Sequence, residues 1–248
     1  FEMQQKPFNK YFDHTLLKPE ARLCDVKKLC REAVQYNFCA VCLNSCYVNA
    51  AAGFLKISNH GKAADAEISA EADISCDVKI AAVVGFPLGA AASSVKAFEA
   101  STSCENGASE IDMVINIGAL KDGRDNFVAD DIRSVVNEAH ARCSIVKVII
   151  ETCLLTEDEI IKACLLSRDS GADFVKTSTG FSKYGAKETD IKLMRDVIGS
   201  SMRIKASGGI RDLSSTKKMI EAGADRIGAS ASVEIYKEYL KNQSSSLL

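Results

Sequence analysis

The sequence predicts an α/β protein folded as a single (β/α)8 barrel, and three observations carry that prediction. Eight short β-rich runs alternate with stretches of helical apolar period from one end of the chain to the other. The length, 248 residues, is close to the ~250 typical of such a barrel. No Gly-rich fingerprint follows the first run, where Asp13-His14-Thr15-Leu16-Leu17 stands instead, so an open doubly wound sheet lacks its usual mark.

The β-rich runs are residues 11–16, 39–43, 79–84, 110–115, 146–150, 174–177, 203–206 and 226–228. Between them the apolar period becomes helical, as at Val26, Leu29, Cys30, Ala33 and Val34, or at Ile160, Ile161, Cys164 and Leu165 behind a Thr156…Glu159 capping box. Such alternation favours parallel strands, because a right-handed helical crossover returns the chain to the same end of the sheet. Three helix-to-strand transitions repeat one design: Gly107-Ala108-Ser109-Glu110-Ile111-Asp112, Gly171-Ala172-Asp173-Phe174-Val175-Lys176 and Gly223-Ala224-Asp225-Arg226-Ile227-Gly228. In each, a Gly stops a helix, a strand begins, and the fifth residue after the Gly is a functional candidate at an equivalent height. The only prolines are Pro7, Pro19 and Pro87, and no Ser/Gly/Pro-rich linker interrupts the alternation. Residues 1–248 therefore read as one domain, with 1–9 as an N-terminal extension and 243–248 as a loose tail.

Apolar residues make up 47% and charged residues 26%, with a net charge of -2, which places the chain with ordinary globular proteins and implies no nucleic-acid partner. No apolar run approaches the ~20 residues that span a bilayer, and the start lacks the basic-then-apolar plan of an export signal. Neither a membrane partner nor a disulfide framework is expected, and the ten cysteines, scattered through strand and helix patterns, fit reduced thiols in the cytoplasm. Cys39, Cys42 and Cys46 superficially resemble a metal site, yet no His lies nearby and no second Cys pair follows, so structural thiols are the safer reading. His14, His60 and His140 are far apart in the sequence. No metal and no cofactor is therefore expected, although His14 beside Asp13 merits attention.

Lys176 ends an apolar strand run, where barrels assemble their active sites. Burial there lowers an amine's pKa and leaves more of the neutral nucleophile that attacks a carbonyl; the alternative is a lysine snorkelling to solvent. One strand later Lys205 stands at a matching position in Arg203-Ile204-Lys205-Ala206-Ser207-Gly208-Gly209, and two close cations depress one another's pKa. Asp112 lies within the apolar run Ile111 to Ile115, so it must face a partner. It reads either as a proton-transfer carboxylate or as a structural ion pair for Lys205. Ser207-Gly208-Gly209 and Gly228-Ala229-Ser230 follow the last two strands with small residues that let backbone N–H groups approach an anion, which implies a phosphorylated substrate.

Six stretches in order resemble the deoxyribose-phosphate aldolase family: Asp13-His14-Thr15-Leu16-Leu17, Val84-Gly85-Phe86-Pro87-Leu88-Gly89, Glu110-Ile111-Asp112-Met113-Val114, Val148-Ile149-Ile150-Glu151-Thr152, Val175-Lys176-Thr177-Ser178-Thr179-Gly180-Phe181 and Lys205-Ala206-Ser207-Gly208-Gly209-Ile210-Arg211. The resemblance implies reversible cleavage of 2-deoxy-D-ribose 5-phosphate to D-glyceraldehyde 3-phosphate and acetaldehyde, without a cofactor, in deoxynucleoside catabolism. By position it makes Lys176 the Schiff-base lysine, Lys205 the second lysine that lowers its pKa, Asp112 the proton donor or acceptor and Asp13 a further acid of the relay. It sets Cys42 in the aldehyde pocket and gives substrate binding to Thr177, Thr179, Gly180, Ser207, Gly208, Gly209, Gly228 and Ser230, with Lys183 or Lys187 as added charge. Two departures touch the phosphate site: Ala231 replaces a common second Ser, and Lys187 stands where Thr is frequent. No Tyr follows Tyr239 in this sequence, so the contribution that a terminal tyrosine makes in some members is not expected here.

The competing readings are another phosphate-binding barrel such as a sugar-phosphate isomerase, which would not need both lysines, and a non-catalytic sugar-phosphate-binding barrel. The partner expected is a small sugar phosphate. A homo-oligomer is compatible with the chain, but one sequence does not say which outer helices would carry the interface.

Overall fold

The computed structural model describes residues 6–59 and 77–245. His60 and residues 246–248 of the expected tail lie outside them. Eight parallel strands close into a barrel in the order β1-β2-β3-β4-β5-β6-β7-β8. They are β1 (Phe12–Leu16), β2 (Ala40–Asn44), β3 (Lys79–Val84), β4 (Glu110–Val114), β5 (Ile145–Ile149), β6 (Phe174–Lys176), β7 (Arg203–Ser207) and β8 (Arg226–Ala229). Around them run α1 (Leu23–Gln35), α2 (Val48–Asn59), α3 (Ser93–Glu105), the short α4 (Ile117–Lys121), α5 (Asp125–His140), α6 (Glu157–Asp169), α7 (Glu188–Ile198), α8 (Leu213–Glu221) and α9 (Ser232–Ser245).

Each strand sends alternate side chains outward and inward. The outward set, which includes Val41, Leu43, Ala82, Ile111, Met113, Val146, Val148, Val175, Ile204 and Ile227, meets the apolar faces of the helices, such as Val26, Leu29 and Ala33 of α1 and Val128, Ile132 and Val135 of α5. This shell between sheet and helices is the main hydrophobic core. The helix starts follow their sequence signals: Thr156 caps α6 and Glu159 completes the capping box, while Asp212 accepts from Ser215 N–H at the start of α8.

The inward set is different in kind. The register Asp13↔Ala40, Cys42↔Ala81, Val83↔Asp112, Asp112↔Lys147, Lys176↔Lys205 and Lys205↔Arg226 runs around the wall. Small side chains on β2 and β3 leave room for long charged ones on β4 to β8. A barrel of this size must be filled by side chains, and here much of the filling is ionic.

Two expectations are corrected. Strand β8, read from the sequence as ending at Gly228, continues through Ala229, so of the expected loop Gly228-Ala229-Ser230 only Ser230 lies beyond the strand. Residues 243–245, expected to be loose, form the last turn of α9, where Gln243 donates to the Tyr239 hydroxyl at 3.1 Å. Earlier in the same helix, Tyr239 stacks on Phe8 at 4.2 Å between ring centroids, which ties α9 to the segment before β1.

A second buried ion pair lies outside the barrel. Lys96 of α3 donates to Asp131 of α5 at 2.6 Å and to the Val114 carbonyl at the end of β4 at 2.9 Å, and both side chains are fully or almost fully buried. It anchors two helices to the strand that carries Asp112. Lys96→Met leaves Asp131 buried without a cation and is expected to lower stability by about 3–5 kcal/mol, whereas adding Asp131→Leu recovers most of the loss. The midpoint of urea unfolding checks both variants.

Candidate active site

The site is built from the ends and middles of β1, β2 and β4 to β8. Asp112, on β4, is its hub. Its Oδ2 accepts from Lys176 Nζ at 2.7 Å and from Lys205 Nζ at 2.7 Å, and its Oδ1 from Lys147 Nζ at 2.6 Å. Below this centre, Lys205 lies 2.5 Å from Asp13 Oδ2, and Lys147 lies 2.5 Å from Glu110 Oε2 and 3.6 Å from Asp13. Arg226 closes the network, 2.6 Å from Asp13 and 3.2 Å from Glu110. Every one of these side chains is buried.

Four cationic side chains, Lys147, Lys176, Lys205 and Arg226, thus face three carboxylates, Asp13, Glu110 and Asp112. A surplus charge in a dry interior is costly, so the cation with the fewest anionic contacts is the one to lose its proton. That cation is Lys176, whose one carboxylate contact among the described residues is Asp112. Burial lowers its pKa, Asp112 opposes that shift, and the Lys205 ammonium lowers it further, leaving the pKa below the ordinary lysine value. For Lys205 burial acts the same way, but Asp112 and Asp13 outweigh it and hold the ammonium well above its usual range. Lys147 is also raised: burial is overcome by Asp112, Glu110 and Asp13. Burial pushes the Asp112 carboxyl up, yet the three lysines hold it well below the usual carboxylate range, and Asp13 is likewise depressed, chiefly by Arg226 and Lys205 against its burial. The two lysines expected from the sequence are therefore not equivalent: burial and the neighbouring ammonium loosen the proton on Lys176, while two carboxylates hold the proton on Lys205.

Lys147 and Arg226 were missed at the level of sequence. The signal for Lys147 was present, a lysine inside the apolar run of β5, and is the same signal that selected Asp112. Cys42 joins the site with its Sγ 3.8 Å from Asp112 Oδ2, and burial raises its pKa and keeps it a thiol. His14 points the other way, out of the barrel, where it pairs with Glu32 at 3.0 Å and packs on Phe38. Among the described residues, no group of three or more His, Cys, Asp or Glu is arranged to hold a metal.

The rim above the lysines has two sides. On one, Phe86 packs over Leu17, Cys42, Ala81 and Val83 and meets Phe181 edge-on at 5.4 Å, which makes an apolar wall. On the other, the segments after β6 and β7 are stitched together. The Thr177 hydroxyl donates to the Ser207 carbonyl at 3.2 Å and accepts from Ser207 N–H at 3.1 Å, while the Ser207 hydroxyl donates to the Ser178 carbonyl at 2.6 Å. Ala186 N–H returns to the Ser207 and Gly208 carbonyls. A Cβ at Gly185 would lie 2.0 Å from the Gly208 oxygen, so only glycine permits this approach. Thr179 spends both its N–H and its hydroxyl on the Glu151 carboxylate.

The side chains of Thr177, Thr179 and Ser207 are thus committed within the protein. The N–H groups of Gly180, Gly208, Gly209 and Ser230, in contrast, donate to no protein acceptor among the described residues. Backbone N–H groups left free in this way are able to meet an anion. Gly228 serves another purpose: a Cβ there would lie 3.0 Å from both Lys205 Cε and Ser207 Cβ, so its bareness makes room for Lys205. Of the candidate added charges, Lys187 lies over the Tyr184 ring at 3.8 Å, and Lys183 is exposed to solvent.

Residues 8–238 match the DeoC/LacD family aldolase model. The deoxyribose-phosphate aldolase of Clostridium tetani is 53% identical over 229 residues, 92% of this chain and 97% of its own. That of Thermococcus gammatolerans is 53% identical over 226 residues, 91% of this chain and 93% of its own. Among solved structures, the aldolase QR15 superposes with a TM-score of 0.83 at 36% identity, covering 95% of this chain and 96% of its own. The deoxyribose phosphate aldolase of Aeropyrum pernix, described as having a unique tetrameric structure, superposes at 0.80 with 32% identity over 92% of this chain and 89% of its own.

The electrostatic asymmetry can be tested by the pH dependence of Lys176 modification with a small aldehyde and a hydride donor. In Lys205→Met the cation that lowers Lys176 is gone, and Asp112 is freed to hold Lys176 protonated. The Lys176 pKa then rises, the rising limb of the rate-pH curve moves to higher pH, and modification at neutral pH slows by roughly tenfold or more. A curve that superimposes on the wild type would remove Lys205 from that role.

Proposed function

The chain belongs to the DeoC/LacD aldolase family, and from that premise we propose that it is a deoxyribose-phosphate aldolase working through a Schiff base on Lys176. The reaction is reversible cleavage of 2-deoxy-D-ribose 5-phosphate to D-glyceraldehyde 3-phosphate and acetaldehyde. The observation that carries the reading is the single Asp112 oxygen shared at 2.7 Å by Lys176 and Lys205, with no other carboxylate paired to Lys176 among the described residues.

The open-chain substrate presents its aldehyde carbon, C1, to the unprotonated Nζ of Lys176, and attack gives a carbinolamine. Its hydroxyl leaves as water with a proton passed through Asp112 and Lys205, and an iminium remains. Asp112, kept ionised by its lysines, lies against this new cation and stabilises it. The iminium draws in the electron pair of the C2–C3 bond, the C3 hydroxyl gives up its proton, and glyceraldehyde 3-phosphate departs with C3 as its aldehyde carbon. The enamine left on Lys176 takes a proton at C2, and water hydrolyses the resulting iminium to acetaldehyde and the free amine. Asp13 sustains the relay from below by holding Lys205 in its charged form. In this reading the phosphate rests on the N–H groups of Gly180, Gly208, Gly209 and Ser230, and the deoxygenated C2 faces Cys42 and the apolar side of the rim.

Deoxynucleoside catabolism is the setting we assign to the reaction. A cytoplasmic location is part of the same proposal, supported by the free state of all nine described cysteines. So is a homo-oligomeric state, by extension from the relative described as tetrameric.

The test is to incubate the protein with 2-deoxyribose 5-phosphate and borohydride in the presence of EDTA, and to locate the mass increase by peptide mass spectrometry. One adduct is expected, on Lys176, absent from Lys176→Ala, with cleavage activity lost by about four orders of magnitude or more. Turnover without an adduct would sink the Schiff-base assignment.

A further inference from the structure

Glu151 is a buried carboxylate that the reaction above does not use. It follows β5 with backbone angles of φ 56 and ψ 64, the left-handed region that a side chain of its kind rarely adopts. The ladder explains the conformation. Ile150 N–H donates to the Lys176 carbonyl at 3.0 Å and Thr152 N–H to the Thr177 carbonyl at 2.9 Å, so two residues on one chain span one step of the other, and Glu151 is the extra residue. The bulge turns its side chain under the segment that follows Lys176.

Both Glu151 carboxylate oxygens lie 3.3 Å from Thr179 N–H, and the Thr179 hydroxyl donates to Oε2. The Thr179 oxygen in turn accepts from Phe181 N–H at 3.1 Å. The Cys153 thiol lies 3.8 Å from Oε1 of the same carboxylate. Among the described residues no Lys, Arg or His pairs with it. A buried carboxylate without a cation is kept for the hydrogen bonds it makes, and these fix the loop that presents Gly180 N–H and Phe181 to the rim.

We propose that Glu151 is a positioning residue for the phosphate end of the substrate: through Thr179 it sets the height and direction of the Gly180–Phe181 segment, while Ser207 holds the preceding Thr177 and Ser178 from the β7 side. This rests on the aldolase reading, because it takes the free N–H groups at the rim as the phosphate cradle.

Glu151→Gly and Glu151→Gln separate this role from plain stability. Glycine accepts the left-handed backbone without strain but removes the carboxylate, and glutamine keeps an acceptor for Thr179. For Glu151→Gly we expect KM for 2-deoxyribose 5-phosphate to rise about tenfold, equivalent to about 1.4 kcal/mol. Borohydride trapping of acetaldehyde on Lys176, which needs no phosphate, should stay within about twofold of wild type, since it depends on the nucleophile alone. Glu151→Gln should recover most of the KM. An unchanged KM in Glu151→Gly would overturn the proposal, as would an equal loss of acetaldehyde trapping, which would make Glu151 a support of Lys176 or of the fold. Wild-type protein that cleaves no 2-deoxyribose 5-phosphate would strike the aldolase reading instead.

Discussion

The Asp112 carboxylate, held by three lysines inside a closed barrel, is the interaction on which the rest of the site depends. Without it Lys147, Lys176 and Lys205 would be three buried ammonium groups with too few anions, and the interior could not hold them. With it, the three amines take different states. Lys147 shares Glu110 and Asp13, and Lys205 shares Asp13, so both stay charged. Lys176, at the end of the shortest strand and with one carboxylate contact, is left as the group whose proton is least firmly held. The reactivity proposed for Lys176 rests on this uneven distribution of counter-charges, not on any property of lysine at that position.

Charges can fill this barrel because hydrophobic stabilisation is supplied elsewhere. The outward faces of the strands and the inner faces of the helices form a continuous apolar shell, which leaves the inward faces free for chemistry. Within the barrel the division is between strands. Ala40, Cys42 and Ala81 on β2 and β3 are small, and Gly228 on β8 is bare beside Lys205, so the long side chains of β4 to β7 cross the centre to reach one another. Arg226 and Glu110 close the lower end of the network with further pairing, which keeps Asp13 ionised and, through it, Lys205 protonated.

The rim shows a second division of labour. Side chains on the β6 and β7 segments are consumed in holding those segments together, Thr177 with Ser207 and Thr179 with Glu151. Backbone N–H groups at the glycines remain to meet a ligand. Backbone donors suit an anion well, because their positions are fixed by the fold and need no side chain to be ordered on binding. Phe86 and Phe181, in edge-on contact, give the mouth an apolar side, which suits the proposed substrate, with a phosphate at one end and a methylene near its reacting carbon.

Much of this was legible in the chain. The alternation of strand and helix periods gave the barrel, because the pattern is local and each element shows it by itself. Lys176, Lys205 and Asp112 stood out because a charged residue within an apolar strand run must find a partner, and the six motifs gave the chemistry. Lys147 carried the same mark and was passed over, for its partners lie 35 and 37 positions earlier in sequence at Asp112 and Glu110 and become neighbours only through the register of β4 and β5. Tertiary structure alone decided which lysine holds its proton least firmly, since that depends on how many carboxylates each amine reaches across a closed barrel. It also decided the direction of His14, the extension of β8 through Ala229 and the use of Thr179 for Glu151. A sequence fixes which residues are available and how each strand alternates; the closure of the barrel sets the distances between strands, and charge states follow from distance.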